Sequence, residues 1–220
     1  MPLQRKQSAY PHTFMLITDR KQSRLPLISA VKLALKGGVN TIQLREKDLA
    51  TKDIYSLACE LRAITHNLNA RLIINDRVDI VLAVNADGVH LGWQSMPVSR
   101  VRNLIGFERI IGISAHTLQE ALQAQDSGAD YITYGPIFKT PSKEGVVEPT
   151  GTEALRELKE KIKIPIIALG GITVDNAESV MESGADGIAV VSSILKSDNP
   201  ENTAQRLYSI IIRHYSKTPG

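Results

Sequence analysis

Short apolar runs alternate along the chain with segments of helical periodicity, from Phe14 almost to the C-terminus. Eight of these runs predict strands, over Phe14–Thr18, Val39–Leu44, Arg71–Asn75, Gly88–Leu91, Ile110–Ser114, Tyr131–Tyr134, Pro165–Leu169 and Gly187–Val191. Most of the runs are continuously apolar, which is typical of parallel strands buried on both faces. The pattern therefore indicates a series of strand–helix units.

The segments between the strands predict amphipathic helices. In the longest of them, apolar residues recur at i, i+3, i+4 and i+7 from Ile54, which gives one buried face. We expect Thr51 to cap this helix and Thr117 to cap the helix after the fifth strand, because threonine oxygens accept hydrogen bonds from free N–H groups there. A last amphipathic helix is predicted over roughly Thr203–His214.

Eight strand–helix units without an obvious reversal of order favour closure into a (β/α)8 TIM barrel, an α/β fold of one domain. An open, doubly wound sheet is the alternative. We expect the barrel to cover residues 14–215, between flexible tails at residues 1–13 and 216–220. The first tail is mostly polar and lacks the apolar segment of a signal peptide.

The composition narrows the function classes. The 220 residues, 43% hydrophobic and 22% charged, suit a globular protein with one sizeable core. A net charge of +3 with 5% aromatic residues argues against nucleic-acid binding. No apolar run approaches the roughly 18 residues of a membrane span, and the single Cys59 excludes an intrachain disulfide. We expect a cytoplasmic protein that binds neither nucleic acid nor membranes, and a homo-oligomer is compatible with this composition.

In a barrel of this kind the functional site lies at the C-terminal ends of the strands. Gln43, Arg45 and Lys47 follow the second strand, and their alternation points them to one side of an extended segment. Two cations and an amide are costly to bury together unless an anion is present. A solvated strand end is the alternative interpretation.

The stretch Asp130–Lys143 reads as a buried strand, a stiff Gly-Pro turn and a polar loop. That loop contains Thr140, Ser142 and Lys143, and a lysine charge beside directional hydroxyl donors suits a phosphate. A surface loop with a solvated lysine is the plainer interpretation.

Two further turns favour a second anion pocket. Gly170 and Gly171 follow the seventh strand, and Val191, Ser192 and Ser193 follow the eighth. Adjacent turns at this place form the frequent phosphate site of such barrels, where backbone N–H groups and a helix N-terminus meet the anion. A plain tight turn is the alternative. Two pockets would accommodate two phosphorylated substrates, or one substrate with a phosphate at each end.

Other polar residues at the strand ends allow more than one role. Asn75 and Asp76 follow the third strand, and Asp76 could either bind Mg²⁺ or cap the next helix. His90 ends the fourth strand, while Ser114 and His116 end the fifth. A histidine at such a position is either structural or catalytic.

Together these motifs resemble the thiamine phosphate synthase family, which includes TenI-type thiazole tautomerases, from Phe14 to about Ile212. The resemblance rests on Gln43–Lys47, Ile74–Val78, Ala86–Gly92, Gly112–His116, Gly135–Phe138 with Thr140 and Lys143, Gly170–Ile172 and Gly184–Gly187. It implies a transferase of thiamine biosynthesis that couples hydroxymethylpyrimidine diphosphate to a thiazole phosphate or its carboxylate and releases pyrophosphate.

The resemblance also implies how the reaction runs and which residues serve it. Diphosphate leaves first and the thiazole nitrogen captures the pyrimidine cation, so the site must stabilise charge and position both substrates. The implied diphosphate ligands are Gln43, Arg45, Lys47, Asn75 and Lys143, with Ser114 over the leaving group. The implied ligands of the thiazole phosphate are Thr140, Ser142, Gly171, Val191 and Ser192, and the implied Mg²⁺ ligand is Asp76. The predicted catalytic residues are Ser114, Lys143, Arg45 and His116.

One position departs from the family pattern. The family usually has Gln-(Glu/Asp)-Asp after the fourth strand, and its last aspartate is the second Mg²⁺ ligand, whereas this chain reads Trp93, Gln94, Ser95. A neutral serine is a poor ligand for a hard cation. Either Mg²⁺ is held by Asp76, water and diphosphate alone, or its affinity is weak and the synthase activity is reduced or absent.

Two other functions stay open from the sequence. A TenI-type tautomerase would use His116 as its acid and base and would need no metal. A non-catalytic protein that binds phosphate ligands is the third interpretation. The charged and amide groups assigned to the diphosphate and metal favour the synthase over the tautomerase, because so many are hard to explain without a diphosphate. The non-catalytic interpretation is separated from the synthase by turnover, since measurable product would end it.

Overall fold

The computed structural model describes residues 12–140 and 148–217. Its strands are β1 (Thr13–Ile17), β2 (Thr41–Leu44), β3 (Arg71–Asn75), β4 (Gly88–Leu91), β5 (Ile110–Ala115), β6 (Tyr131–Tyr134), β7 (Ile166–Leu169) and β8 (Gly187–Val190). Its helices are α1 (Leu27–Lys36), α2 (Thr51–Asn67), α3 (Val78–Ala83), α4 (Val98–Ile105), α5 (Leu118–Asp126), α6 (Gly151–Lys161), α7 (Ala177–Glu182), α8 (Ser192–Leu195) and α9 (Pro200–Lys217).

The strands form a closed parallel barrel. Each strand pairs with the next one in the chain, and β1 pairs with β8 in a register that joins Phe14 to Ile188 and Leu16 to Val190. This last pairing confirms the predicted (β/α)8 barrel and excludes the open sheet, in which the first and last strands would not meet. The predicted strands agree with the observed ones to within two residues at each end.

Two apolar layers stabilise the barrel. The outward-facing strand residues, such as Phe14 and Leu16, pack with the helices in one large buried cluster. A smaller cluster fills the barrel interior and consists of Met15, Ile17, Tyr131, Ile167 and Ala189. Because this inner layer closes the barrel, the space above it at the C-terminal ends of the strands is a cavity rather than a channel.

Three aspartates join the strands at the opposite end of the barrel. Asp87, Asp130 and Asp186 directly precede β4, β6 and β8, and each accepts the backbone N–H of a residue in the preceding strand. Asp130 Oδ2 lies 2.8 Å from Ile111 N and 2.6 Å from Arg102 Nη2 of α4. Each carboxylate also binds a cation from the helix that leads into that preceding strand, namely Arg62 of α2, Arg102 of α4 and Lys159 of α6. The same arrangement therefore recurs at three places around the barrel.

The two helix caps predicted from the sequence have different outcomes. Thr117 caps α5 as expected, with its hydroxyl accepting the N–H of Glu120 at 3.2 Å. The prediction for Thr51 is wrong. That residue is already the first of α2, and Ala50, which has no side-chain acceptor, stands at the cap position. A threonine beside a helix start does not distinguish the cap from the first helical residue.

The ends of the described chain are close to the barrel. Strand β1 begins at Thr13, and α9 runs on to Lys217, further than the predicted Thr203–His214. Residues 1–11 and 218–220, which make up most of the expected tails, lie outside the described residues. Within the part of the chain that is described, no helix has both the length and the apolar character needed to cross a membrane.

Candidate functional site

A cavity of about 300 Å³ opens at the C-terminal ends of the strands. Its walls come from residues at or beyond the ends of the barrel strands. Of the described residues that the sequence singles out, it brings together Gln43, Arg45, Asn75, His90, Ser114, His116, Thr140, Gly170, Gly171, Val191, Ser192 and Ser193. Residues separated by almost 150 positions in the chain therefore share one space, as the parallel topology requires.

Other predicted site residues lie elsewhere. Lys47 is exposed in the turn after β2 and does not line the cavity, because the extended backbone ends at Leu44. Asp76 and Ser95 lie beside the cavity rather than in its wall. Ser142 and Lys143 fall outside the described residues, so their roles stay predictions.

The backbone that carries Arg45 is held by the loop after β1. Thr18 is fully buried, and its Oγ1 accepts the N–H of Arg45 at 2.9 Å. Next along the loop, the Arg20 guanidinium binds buried Glu46 at 3.0 Å and Asp48 at 2.6 Å. Arg20 also holds the pKa of the Asp48 carboxyl well below its usual value. Because Arg20 pairs with Glu46 and Asp48, these carboxylates do not neutralise Arg45, whose side chain lines the cavity.

The same loop contributes cavity residues that the sequence reasoning missed. Asp19 and Gln22 line the cavity, and Gln22 Nε2 donates to Asp19 Oδ2 at 2.6 Å. The loop is fastened on its far side, where Arg24 N donates to Leu195 O at 2.9 Å. The only feature of the sequence that could have indicated these cavity residues was a polar Thr-Asp-Arg segment directly after a strand.

A largely buried histidine, His90, lines the cavity between two hydroxyl groups. His90 is 4% exposed, and its Nε2 lies 3.0 Å from Ser114 Oγ. Its Nδ1 lies 3.0 Å from the phenol oxygen of Tyr131. The pKa of His90 is lowered to about 4, chiefly by burial; the charge of Asp76 opposes the shift and that of Arg45 contributes to it. The imidazole is therefore neutral at physiological pH.

The loop after β6 continues along the end of β7. Ile137 N donates to Leu169 O at 2.9 Å, and Phe138 N donates to Gly170 O at 3.0 Å. Gly135 makes this approach possible, because a Cβ there would lie 1.9 Å from Leu169 O at a φ of +151°. The Gly-Pro turn predicted from the sequence thus places Thr140 at the cavity.

His116 also lines the cavity, and its ring orientation is fixed. Its Nδ1 donates to the carbonyl oxygen of Gly135. Since a carbonyl only accepts, Nδ1 carries the proton, and a neutral ring has its lone pair on Nε2. The backbone N–H of His116 donates to Glu120 Oε2 at 2.6 Å, which holds the residue at the start of α5.

The turns after β7 and β8 meet at the other side of the cavity. Gly171, Ser192 and Ser193 all line it, and the hydroxyl of Ser193 also donates to the carbonyl of Ile172, which joins the two turns. Lys196 adds a cation to this wall. The sequence reasoning missed Lys196, although it lies four residues after Ser192, one helical turn away.

Asp76 and Ser95 contact each other directly. The hydroxyl of Ser95 donates to Asp76 Oδ1, and Asn75 Nδ2 donates to the other carboxylate oxygen at 2.8 Å. Gly92 N in turn donates to Ser95 Oγ at 2.7 Å. No side chain caps α3, so the alternative role of Asp76 as a helix cap is not observed. Position 95 therefore faces the predicted metal ligand.

The donor set at this place fits Mg²⁺ only in part. Nowhere in residues 12–140 and 148–217 do three or more His, Cys, Asp or Glu side chains gather as a metal site. Mg²⁺ often binds through one or two carboxylates together with substrate phosphates and water. Asp76 therefore fits an ion that is shared with a phosphorylated ligand, and Ser95 adds no charge to it.

Known proteins resemble this chain over almost its whole length. Residues 14–194 match the family model described as thiamine monophosphate synthase. A thiamine-phosphate synthase from Clostridium novyi (strain NT) is 45% identical over 196 residues, which cover 89% of this chain and 96% of that protein. One from Clostridium acetobutylicum is 43% identical over 203 residues, with 92% and 96% covered. The solved structure of a thiamine phosphate pyrophosphorylase from Pyrococcus furiosus matches with a TM-score of 0.86 and 38% identity, covering 93% of this chain and 98% of that one.

Proposed function

The chain belongs to the thiamine monophosphate synthase family, and we propose that it couples hydroxymethylpyrimidine diphosphate to a thiazole phosphate, forming thiamine phosphate and pyrophosphate. The observation that carries the proposal is the pairing of two polar walls across one cavity. Arg45, Asn75 and Ser114 lie at the ends of β2, β3 and β5, and Gly171, Ser192 and Lys196 follow β7 and β8, across the closed barrel. Two phosphorylated substrates can therefore meet with their reacting ends between the walls.

The first wall would hold the diphosphate. The guanidinium of Arg45 suits bidentate binding of phosphate oxygens, and the amides of Gln43 and Asn75 add directional donors. The hydroxyl of Ser114 would donate to the oxygen that becomes negative as the diphosphate leaves. Thiazole nitrogen then attacks the pyrimidine cation through its lone pair, so this step needs no general base.

The second wall would hold the thiazole phosphate. Backbone N–H groups at Gly171 and Ser192 can approach an anion closely, and Lys196 adds a positive charge beside them. Thr140 lines the cavity between the two walls. The proposed contributions of Ser142 and Lys143 rest on the sequence alone.

Mg²⁺ fits the first wall as a partner of the diphosphate. Asp76 would hold the ion, and bound Mg²⁺ supplies positive charge that neutralises the leaving diphosphate. The hydrogen bond from Ser95 orients the Asp76 carboxylate but contributes no second carboxylate. This arrangement supports the possibility, raised by the sequence, that the ion depends on Asp76, water and diphosphate.

The test is a direct assay for product. Purified protein is mixed with the pyrimidine diphosphate, the thiazole phosphate and a wide range of Mg²⁺ concentrations, and thiamine phosphate is oxidised to fluorescent thiochrome. We expect product that depends on Mg²⁺. Folded protein that forms none at any Mg²⁺ concentration would refute the synthase.

His116 supports a second candidate, a thiazole tautomerase of the TenI type. Its proton on Nδ1 is held by Gly135, which leaves Nε2 as a base in the cavity wall. A second assay, which distinguishes the tautomerase from the synthase, supplies the thiazole carboxylate without pyrimidine diphosphate or metal. Isomerisation that is lost in His116→Asn would identify this reaction, whereas thiochrome from the complete mixture identifies the synthase.

A further inference from the structure

A continuous line of polar groups runs from the barrel interior to the cavity. The phenol oxygen of Tyr131 lies 3.0 Å from His90 Nδ1, and His90 Nε2 lies 3.0 Å from Ser114 Oγ. Ser114 lines the cavity, whereas Tyr131 belongs to the inner layer of the barrel and is 1% exposed. Neither Tyr131 nor His90 has a role in the reaction proposed above.

The line is built into the barrel rather than placed by chance. Tyr131 packs with Met15, Ile17, Ile167 and Ala189 in the inner layer, and a Cβ at Gly112 would lie 2.0 Å from its ring. Glycine at position 112 is therefore required for the ring to reach His90. Apolar side chains could fill the same space without the cost of burying an imidazole and a phenol. We therefore expect these buried polar groups to have a role beyond packing.

That role follows from counting the hydrogens that each group along the line can donate. Ser114 has one hydroxyl hydrogen, which it can give either to His90 or to a ligand in the cavity. The hydroxyl of Thr133 makes only longer contacts with this pair, at 3.5 Å from Ser114 Oγ and 3.4 Å from His90 Nε2. If His90 Nε2 carries the ring proton, it donates to Ser114 Oγ and leaves the hydroxyl hydrogen for the ligand. The lone pair of the neutral ring then lies on Nδ1, where the phenol O–H of Tyr131 can donate to it. Such a chain also polarises each successive bond.

We propose that His90 is a positioning residue, held by Tyr131 in the tautomer with its proton on Nε2, which turns the hydroxyl hydrogen of Ser114 toward a phosphate oxygen in the cavity. The role of that hydrogen rests on the proposed synthase function, whereas the tautomer of His90 does not. The two can therefore be tested separately.

The tautomer is tested by NMR on the full chain with ¹⁵N-labelled histidine. Long-range ¹H–¹⁵N spectra distinguish the two neutral forms, and the His90 signals are those that disappear in His90→Gln. We expect the Nε2–H form in the wild type and a loss of this preference in Tyr131→Phe. Tyr134→Phe is the matched control, because Tyr134 is buried on the same strand but faces the helix layer. An Nδ1–H form in the wild type, or an unchanged spectrum in Tyr131→Phe, would overturn the proposal.

Kinetics test whether His90 acts through Ser114. We expect Ser114→Ala to lower kcat about 100-fold and His90→Leu to lower it roughly tenfold to 100-fold, with KM for the diphosphate nearly unchanged. His90→Gln should recover much of the lost kcat, since its amide N–H can replace Nε2–H. This variant also allows the test if the leucine variant does not fold. In the Ser114→Ala background, His90→Gln and His90→Leu should have equal kcat.

Each kinetic outcome either supports or refutes the positioning role of His90. Losses from His90 and Ser114 that simply add would show that His90 does not act through Ser114 and would refute the positioning role. An equal loss in the glutamine and leucine variants would do the same. A wild type that forms no product refutes the synthase, but the NMR result still stands by itself.

Discussion

The hydroxyl of Ser95 donates a hydrogen bond to the carboxylate of Asp76, although the two residues are nineteen positions apart. The family resemblance implies an Mg²⁺-binding aspartate at the position of Ser95. Contact between the two side chains means that a carboxylate at position 95 would lie next to that of Asp76. The neutral serine thus removes a charge from this place without removing the contact.

Ser95→Asp should lower the Mg²⁺ concentration needed for half-maximal activity roughly tenfold, because two adjacent carboxylates attract the cation more strongly than one. Without metal the two charges repel, so the variant should also melt at a lower temperature and gain more from added Mg²⁺ than the wild type. Thermal melts with and without Mg²⁺ measure this independently of turnover.

Gln94→Asp is the matched control for that experiment. It adds the same charge at an exposed neighbouring position and should leave the Mg²⁺ dependence as it is. If Ser95→Asp behaves like Gln94→Asp in both assays, position 95 does not face the metal.

Lys196→Met should raise KM for the thiazole phosphate about fivefold, the equivalent of about 1 kcal/mol for an exposed ion pair. KM for the pyrimidine diphosphate should change little, because Lys196 lies on the opposite wall of the cavity. Steady-state kinetics with each substrate varied in turn will show the difference. Lys52→Met, at an exposed position in the first turn of α2, is the control. Equal changes in both KM values would contradict the placement of the two substrates.

Lys143→Ala should lower turnover about 100-fold if its ammonium group stabilises the leaving diphosphate as the family resemblance implies. The unfolding midpoint in urea should stay near that of the wild type. Lys139→Ala changes an exposed lysine in the same connection between β6 and α6 and should have little effect on turnover. Comparable turnover in the two variants would count against Lys143.

Acidification should destabilise the protein between about pH 6.5 and pH 4 because of His90. Burial lowers the pKa of folded His90 to about 4, whereas an unfolded histidine titrates near its ordinary value of about 6.5. The unfolded chain therefore binds the extra proton throughout this interval, and the free energy of unfolding falls as the pH falls. The loss attributable to His90 is up to about 3 kcal/mol at pH 4 and vanishes above pH 7.

Urea unfolding at pH 7, 6 and 5 measures this slope. His90→Gln, which cannot titrate, should flatten it, while His66→Gln at an exposed position of α2 should not. A slope that persists in His90→Gln would place the acid sensitivity in other groups.

The barrel could be predicted because its signals are local. A run such as Arg71–Asn75 shows a buried strand by itself, and parallel strands in sequence order bring their C-terminal ends to one face. For this reason Arg45, Ser114 and Gly171 could be placed at a shared site without knowledge of their contacts. Lys47 was included because the extended alternation was carried one step too far, into a turn.

The contacts of His90 could not be predicted, because they depend on register. Its partners Ser114 and Tyr131 are 24 and 41 residues away, and they meet it only because β4, β5 and β6 pair as they do. A shift of one residue would turn each side chain to the other face of its strand. Lys196 could not be predicted for a related reason, because a single lysine beside a short helix belongs to no periodic pattern in the sequence.

The aspartates that join the strands lie at one end of the barrel, and the cavity lies at the other. A survey of all single substitutions should therefore separate into two populations. Changes at Asp87, Asp130 or Asp186 should reduce how much folded protein accumulates in a cell, whereas changes at the cavity should reduce the activity of each molecule. The two ends can then diverge at different rates, and the departure from the family pattern at Ser95 lies at the cavity end, beside Asp76.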